Sequence, residues 1–208
     1  MITKDNHFLI ILSAPSGGGK STILNEILKV AEDIDYSVSY TTRHPRGTEQ
    51  NGIHYHFVTE EEFQKRISEG DFLEYAKVFG NWYGTSKSFI RNRLAVKHHV
   101  ILDIDVQGAS LISSTDIPYV KIFILPPSME VLHQRLVLRA TDSEEEIAKR
   151  LQTAKKEVAF IPQYDYLVIN DKLEIAVQDV LAIIRAEENR VSRYHHPARD
   201  FISTGENR

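Results

Sequence analysis

The first apolar run comes early and is unbroken. Phe8-Leu-Ile-Ile-Leu12 carries no polar alternation, the mark of a strand covered on both faces rather than one with a wet side. A glycine-rich turn follows, and from Ser21 to Val30 the apolar positions fall at helical spacing. Three more runs of the first kind lie downstream: Val100 to Val106, Tyr119 to Leu125 stopped by Pro126-Pro127, and Tyr166 to Ile169. Buried strands separated by helical stretches predict an α/β core built on a parallel sheet.

Two stretches do not fit that core and read as insertions. From Tyr36 to Trp82 the pattern changes to short alternating segments such as Gly52-Ile-His-Tyr-His-Phe-Val58, with turns at Pro45-Arg46-Gly47 and Asn51-Gly52. This predicts a small β-rich module, with one helix inside it over Glu60 to Glu69. From Ser128 to Phe160 the chain is charged and helical. Two helices are predicted there, joined by a turn over Arg139 to Asp142, the second starting from a capping box of Ser143 and Glu146. A last helix is predicted over Leu173 to Val191, and Arg193 to Arg208 reads as a loose tail. The resulting division is a core of residues 1–35, 97–127 and 159–192, an inserted module over 36–96, a helical insertion over 128–158 and a tail over 193–208.

Composition narrows the chemistry. With 208 residues and 42% hydrophobic content the chain can bury a substantial core. Lys and Arg number 25 against 29 Asp and Glu, a net charge of −4, so no bulk positive field is available for nucleic acid or an anionic membrane. The absence of cysteine excludes a disulfide framework, a thiolate nucleophile and a Cys-ligated metal. The run over Phe8 to Leu12 is too short for a signal peptide or a membrane span, and a cytoplasmic protein is expected.

The strongest chemical signal is Ala14-Pro15-Ser16-Gly17-Gly18-Gly19-Lys20-Ser21-Thr22, set between a buried-strand run and a helical one. That is the context of a phosphate-binding loop. Glycines let backbone N–H groups turn inward around phosphate oxygens, Lys20 reaches the β and γ phosphates, and the Ser21 hydroxyl can ligate Mg²⁺. Ala14 stands where the usual pattern has glycine, and a positive φ there would be strained. A dinucleotide-binding fingerprint fails, because the glycine required three positions on is missing. Asp103 and Asp105 lie two apart in an apolar run, which predicts two carboxylates on one face near a strand end, where Mg²⁺ and its waters are held. Arg43 and Arg46 in the module, with Arg135, Arg139 and Arg150 downstream, supply the fixed positive charge that phosphoryl transfer needs.

Read together, Ala-Pro-Ser-Gly-Gly-Gly-Lys-Ser-Thr, Ser-Val-Ser-Tyr-Thr-Thr-Arg-His-Pro-Arg-Gly, Asn-Gly-Ile-His-Tyr-His-Phe-Val, Phe-Leu-Glu-Tyr-Ala, Asn-Trp-Tyr-Gly-Thr and Ile-Leu-Asp-Ile-Asp-Val-Gln-Gly resemble the guanylate kinase family, in order, from about residue 8 to 190. The resemblance implies a P-loop NTPase-type three-layer α/β core with a parallel sheet, an inserted small α+β GMP-binding module and a helical lid. It implies the reaction ATP plus GMP to ADP plus GDP, with Mg²⁺. By matching position, the loop residues Ala14 to Thr22 and Asn170 would hold ATP. Ser39, Arg43, Arg46, Tyr55, Glu74, Tyr83, Thr85 and Asp103 would hold GMP, with Glu74 and Thr85 reading the base. Ser21, Asp103 and Asp105 would serve the metal, and Lys20, Arg46, Arg139 and Arg150 the transferring group. Guanine suits such a reader, because N1–H and the 2-amino group are adjacent donors for one carboxylate. Two other readings compete: a related kinase with another phosphorylated acceptor, and a non-catalytic module of the same shape that binds phosphorylated proteins. Glu74, Tyr83 and Thr85 argue against the first, and Lys20, Ser21, Arg139 and Arg150 against the second.

Overall fold

The computed structural model describes residues 3–4, 6–78, 80–112, 115–138, 143–195 and 197–203. In chain order its first half contains β1 (Thr3–Lys4), β2 (Leu9–Ser13), α1 (Lys20–Val30), β3 (Ile34–Tyr36), β4 (Tyr40–Thr41), β5 (His56–Phe57), α2 (Glu60–Ser68), β6 (Phe72–Val78), β7 (Asn81–Ser86) and α3 (Lys87–Ala95). The second half adds β8 (His99–Asp103), α4 (Val106–Leu111), β9 (Tyr119–Leu125), α5 (Met129–Leu138), α6 (Glu144–Val158), β10 (Tyr166–Ile169), α7 (Leu173–Glu188), β11 (Tyr194–His195) and α8 (Pro197–Ser203). Among the described residues no helix is long and apolar enough to cross a membrane.

The apolar runs form one five-stranded sheet in the order β10-β9-β2-β8-β3, parallel at every pairing. β2 is central, with Leu9 opposite Val100 on one side and Tyr119 on the other. Its residues alternate between two cores. Ile10 and Leu12 pack with Ile23 and Ile27 of α1 and Val180 of α7, while Leu9 and Ile11 pack with Ile90 of α3 and Ala109 of α4. Helices on both faces explain why the strands are unbroken in hydrophobicity. Because all strands run the same way, their carboxyl ends share one edge, and the loops that bind ligands in such sheets leave from it. A second, four-stranded sheet, β5-β4-β7-β6, belongs to the module, with α2 capped by a Thr59–Glu62 box and its Phe63 stacked on Phe72 at 4.4 Å.

The Ser143–Glu146 capping box forms as the pattern predicts and starts α6. The turn predicted over Arg139 to Asp142 lies outside the described residues. Several elements differ from the sequence expectation. β3 forms a short edge strand with no apolar run to announce it. α3 falls within the stretch assigned to the module yet sends Ile90, fully buried, into the core. The run over Val100 to Val106 is not one strand: β8 stops at Asp103, and Asp105 caps α4 by accepting the Gly108 N–H at 2.8 Å.

The C-terminal expectation is also corrected. α7 stops at Glu188, short of Val191, and Arg193 is not the start of a loose tail. The reason is Glu187, whose buried carboxylate accepts from the Tyr166 hydroxyl at 2.7 Å and from Arg193 at 3.1 Å, with Arg190 at 3.3 Å. Burial pushes the Glu187 carboxyl up, but these donors outweigh it and hold it below the usual range. To deliver Arg193, whose guanidinium also lies 4.1 Å from the Phe8 ring centroid, the helix has to end and the chain double back. β11 then pairs antiparallel with β1. Arg193→Ala removes an ion-pair partner of a buried carboxylate and a cation–π contact, so a loss of about 2–3 kcal/mol is expected. A thermal midpoint within 1–2 °C of the parent, against an expected fall of roughly 5–10 °C for a chain of this size, would refute that role.

Candidate active site

Six residues join β2 to α1, and their conformation explains the glycines. Gly17 and Gly19 both sit at φ +93°, a region glycine enters without steric cost. Space demands it as well: a β-carbon on Gly17 would meet Leu136 at 2.8 Å, and one on Gly19 would collide with the Asn170 side chain. The Gly18 N–H donates to the Pro15 carbonyl at 2.7 Å and closes the turn. Ala14 escapes the strain a positive φ would bring, since Lys97 is the sole non-glycine residue with positive φ among the described residues. Its methyl group packs in the core instead. α1 begins at Lys20 with no side-chain cap and no acid in its first turn, which leaves the N–H groups there for an incoming anion.

Lys20 reaches back across the sheet edge. Its ammonium pairs with Asp103 at 2.5 Å and donates to the Ile104 carbonyl at 2.9 Å, the same carbonyl that accepts from Ser13 Oγ at 2.9 Å. Ser21 Oγ donates to the other oxygen of Asp103 at 3.3 Å. Ser21 and Asp103 therefore come together, as expected of metal-side oxygens. Asp105 does not share their strand face. It turns as a helix cap toward the module, and its charge is felt at Glu74.

Core and module meet at one cavity of 340 Å³, lined from the core by Lys20, Asp103 and Asp105 and from the module by Glu74, Tyr55 and Tyr83. Ser39 and Gln107 also reach it. β6 and β7 pair Glu74 with Thr85 in register. Both are buried, at 8% and 0% exposure, and Thr85 Oγ1 donates to Glu74 Oε1 at 2.6 Å. Burial pushes the Glu74 carboxyl above the usual range, the Thr85 bond opposes this, and the Asp105 charge adds to it.

The arginines divide. Arg43 lies beside the cavity's tyrosines, 5.3 Å from the Tyr55 ring centroid and near the Tyr83 hydroxyl, and its guanidinium forms a two-bond fork with Glu49. Arg46 projects from the exposed loop between β4 and β5. Arg150 of α6 donates to Ser16 Oγ at 3.4 Å, so α6 lies over the phosphate loop. Arg139 lies outside the described residues. Asn170, also buried, donates its amide to the Gly18 carbonyl at 2.8 Å, and it lines a second cavity with Thr22 and Arg135.

Some of the site has no sequence signal. Arg135 donates to the Asn170 carbonyl at 2.8 Å, and the spread of arginines along the chain hints at it. Glu49 and Gln107 follow no periodicity: Arg46-Gly47 marks the loop that carries Glu49, and Gln107 lies in the first turn of α4.

The family model described as guanylate kinase matches residues 6–187. A guanylate kinase of Clostridium perfringens is 48% identical over 193 residues, 92% of this chain and 89% of that one. A guanylate kinase of Methylobacillus flagellatus is 48% identical over 182 residues, 88% of this chain and 90% of that one. Among solved structures, guanylate kinase from Anaplasma phagocytophilum matches with a TM-score of 0.77 at 33% identity, over 98% of this chain and 97% of that one. A phosphate loop at one end of a cavity and a buried carboxylate–hydroxyl pair at the other thus recur in a chain whose relatives match it almost end to end, and the chain belongs to the guanylate kinase family.

Proposed function

We propose that this chain transfers the γ-phosphoryl group of ATP to the phosphate of GMP or dGMP, giving ADP and the nucleoside diphosphate. The observation that carries this reading is the buried Glu74–Thr85 pair facing Lys20 across one cavity. An ionised Glu74 accepts from guanine N1–H and the 2-amino group together, and the Thr85 hydroxyl, turning from Glu74 Oε1, can donate to O6. Adenine has an acceptor at N1 and no 2-amino group, so it would leave a buried carboxylate facing a lone pair. Sites of this kind discriminate by about 10⁴ or more.

In this reading the phosphates of ATP lie on the loop from Ala14 to Thr22, with Asn170 and Thr22 flanking the nucleoside end. Lys20 exchanges Asp103 and the Ile104 carbonyl for the β and γ phosphates, and so meets the transferring charge already placed. Ser21 and Asp103 offer oxygens alone, 3.3 Å apart, a donor set that fits Mg²⁺ and its preference for one carboxylate plus phosphates; bound there, Mg²⁺ supplies charge neutralisation on the β and γ oxygens. Arg43, Arg46, Tyr55 and Tyr83 hold the acceptor phosphate. Arg150, already at Ser16, and Arg139 bring positive charge onto the transferring group from the lid side. No general base is needed, because the acceptor phosphate is itself anionic, and the work of the site is positioning and electrostatics. Both nucleotides are cytoplasmic metabolites, and we place the activity there.

Lys20→Ala should lower kcat by about 10²–10³, the usual loss for one preorganised donor, with GMP affinity measured by titration calorimetry left largely intact, because none of the contacts assigned to the base or the acceptor phosphate is made by Lys20. Near-normal turnover in a coupled ADP-release assay would sink the proposed role of the loop. Glu74→Gln should raise KM for GMP about 10–100-fold, as expected when hydrogen bonds lose a charged acceptor. The sign of the pH effect follows from the upward shift of Glu74. In the empty protein its contribution to stability is fully present below the ordinary value of 4.5 and is lost as pH rises through its folded value. GMP takes the ionised form, so its affinity should rise with pH over the same window in the parent and stay flatter in Glu74→Gln. Parallel profiles for the two proteins would assign the effect to another group.

A further inference from the structure

Arg43 is held by more than its neighbours in the cavity. Its Nη1 donates to Glu49 Oε2 at 2.9 Å and its Nη2 to Oε1 at 3.0 Å, a fork-on-fork pair, while Nη1 also donates to the His44 carbonyl at 2.8 Å. The side chain lies against Tyr55 and Phe57, 5.3 and 5.8 Å from the ring centroids. It is 10% exposed. Glu49 in turn belongs to the turn that carries Arg46. Glu49 Oε2 accepts the Arg46 N–H at 2.7 Å, and the Glu49 N–H donates to the Arg46 carbonyl at 3.0 Å. One carboxylate therefore grips the side chain of one arginine and the backbone of the other.

We propose that Glu49 is a positioning residue for the acceptor phosphate, fixing Arg43 and the Arg46 turn so that the edge of the Arg43 guanidinium turned away from Glu49 is presented to that phosphate. The proposal rests on the GMP-kinase reading above. A guanidinium has five N–H donors, and the contacts to Glu49 and His44 use three of them. The two that remain, on Nε and Nη2, form the side-on edge that pairs with two phosphate oxygens. The Tyr83 hydroxyl, which takes a hydrogen bond from this guanidinium, lines the cavity, so the edge not held by Glu49 and His44 lies on the ligand's side. A long, flexible arginine thereby meets its ligand already ordered, which removes an entropy cost from binding.

Glu49 has a second conceivable role, as a placeholder that occupies Arg43 until phosphate displaces it. The reciprocal bonds with the Arg46 backbone argue against displacement, because leaving Arg43 would also break the turn. The bond from Arg43, helped by the Arg46 N–H, holds the Glu49 carboxyl at about 2, so it stays ionised wherever the enzyme works. The two roles predict opposite signs. A positioning residue strengthens phosphate binding, whereas a placeholder competes with it, and its removal would tighten binding.

The test is titration calorimetry of the full chain with GMP and with guanosine, for the parent, Glu49→Gln, Arg43→Ala and the double variant. Glu49→Gln should weaken GMP roughly 10-fold or more, the loss expected when a charged hydrogen-bond fork is broken. Guanosine affinity should stay within about twofold, as should KM for ATP, since neither contact involves the phosphate edge. The ratio of GMP to guanosine affinity is taken within each protein and does not depend on the folded fraction. In the Arg43→Ala background Glu49→Gln should have a smaller effect on that ratio, limited to what the Arg46 turn carries. An unchanged or tighter GMP affinity in Glu49→Gln, or equal loss of GMP and guanosine, overturns the proposal alone. A parent protein that binds no GMP overturns the kinase reading and this proposal with it.

Discussion

An ammonium group drawn partly out of water needs fixed partners, and much of the site follows from how this chain supplies them. Lys20 is shared between the Asp103 carboxylate and the Ile104 carbonyl, the last residue of β8 and the one after it. That strand is next to β2 in the sheet, so the pairing of two parallel strands decides what Lys20 can touch. Ser13, on the same carbonyl, ties the two strand ends together. Under the proposed function, arriving phosphates would exchange partners with these charges rather than strip them, which avoids stranding a buried ion.

The cavity is polarised from end to end. Glu74, Asp103 and Asp105 give it an acidic middle and base side, each acid with its own partner: the Thr85 hydroxyl, the Lys20 ammonium and the Gly108 N–H. Of the cations, Lys20 lines the cavity at Asp103, Arg43 lies against Tyr55 and Arg150 stands at Ser16 of the phosphate loop. A ligand with a donor-rich ring at one end and an anion at the other fits in one direction only. Like charges at the wrong end exclude the reverse pose as effectively as attraction favours the right one. A net charge of −4 over the whole chain says nothing of this, because the pattern resides in a few side chains.

What could be read from the chain depended on whether a residue's role is local. The phosphate loop and the capping box of α6 are set by contiguous residues, and the central strands are set by their own apolar runs; all of these form where the pattern places them. Asp105 was misread because an apolar run tolerates either a longer strand or an early helix cap, and the deciding contact, Gly108 N–H, lies on the far side of the run. α3 hides because its apolar content is slight, and its role rests on Ile90 meeting strands distant in sequence. The order at Arg193 was invisible for the same reason: its partners, Phe8 and Glu187, come from opposite ends of the chain. Glu49 has only a distance to Arg43 to reveal it.

The pairing of β2 carries one more consequence, for the order in which the molecule is made. Contacts such as Ser13 to Ile104 close 91 residues of chain, and β9 and β10 join later still. Closing loops of that length is slow, because the entropy is lost before the contacts form. The core sheet therefore cannot assemble during synthesis until the segment carrying β8 and β9 has emerged, and β2 must wait with its apolar faces uncovered. The module's hairpin of β6 and β7 is made of neighbours in sequence and can form first, in the interval. The hairpin that carries Glu74 and Thr85 is thus the part suited to fold early, and the exposed central strand is where the chain most needs protection from its own copies.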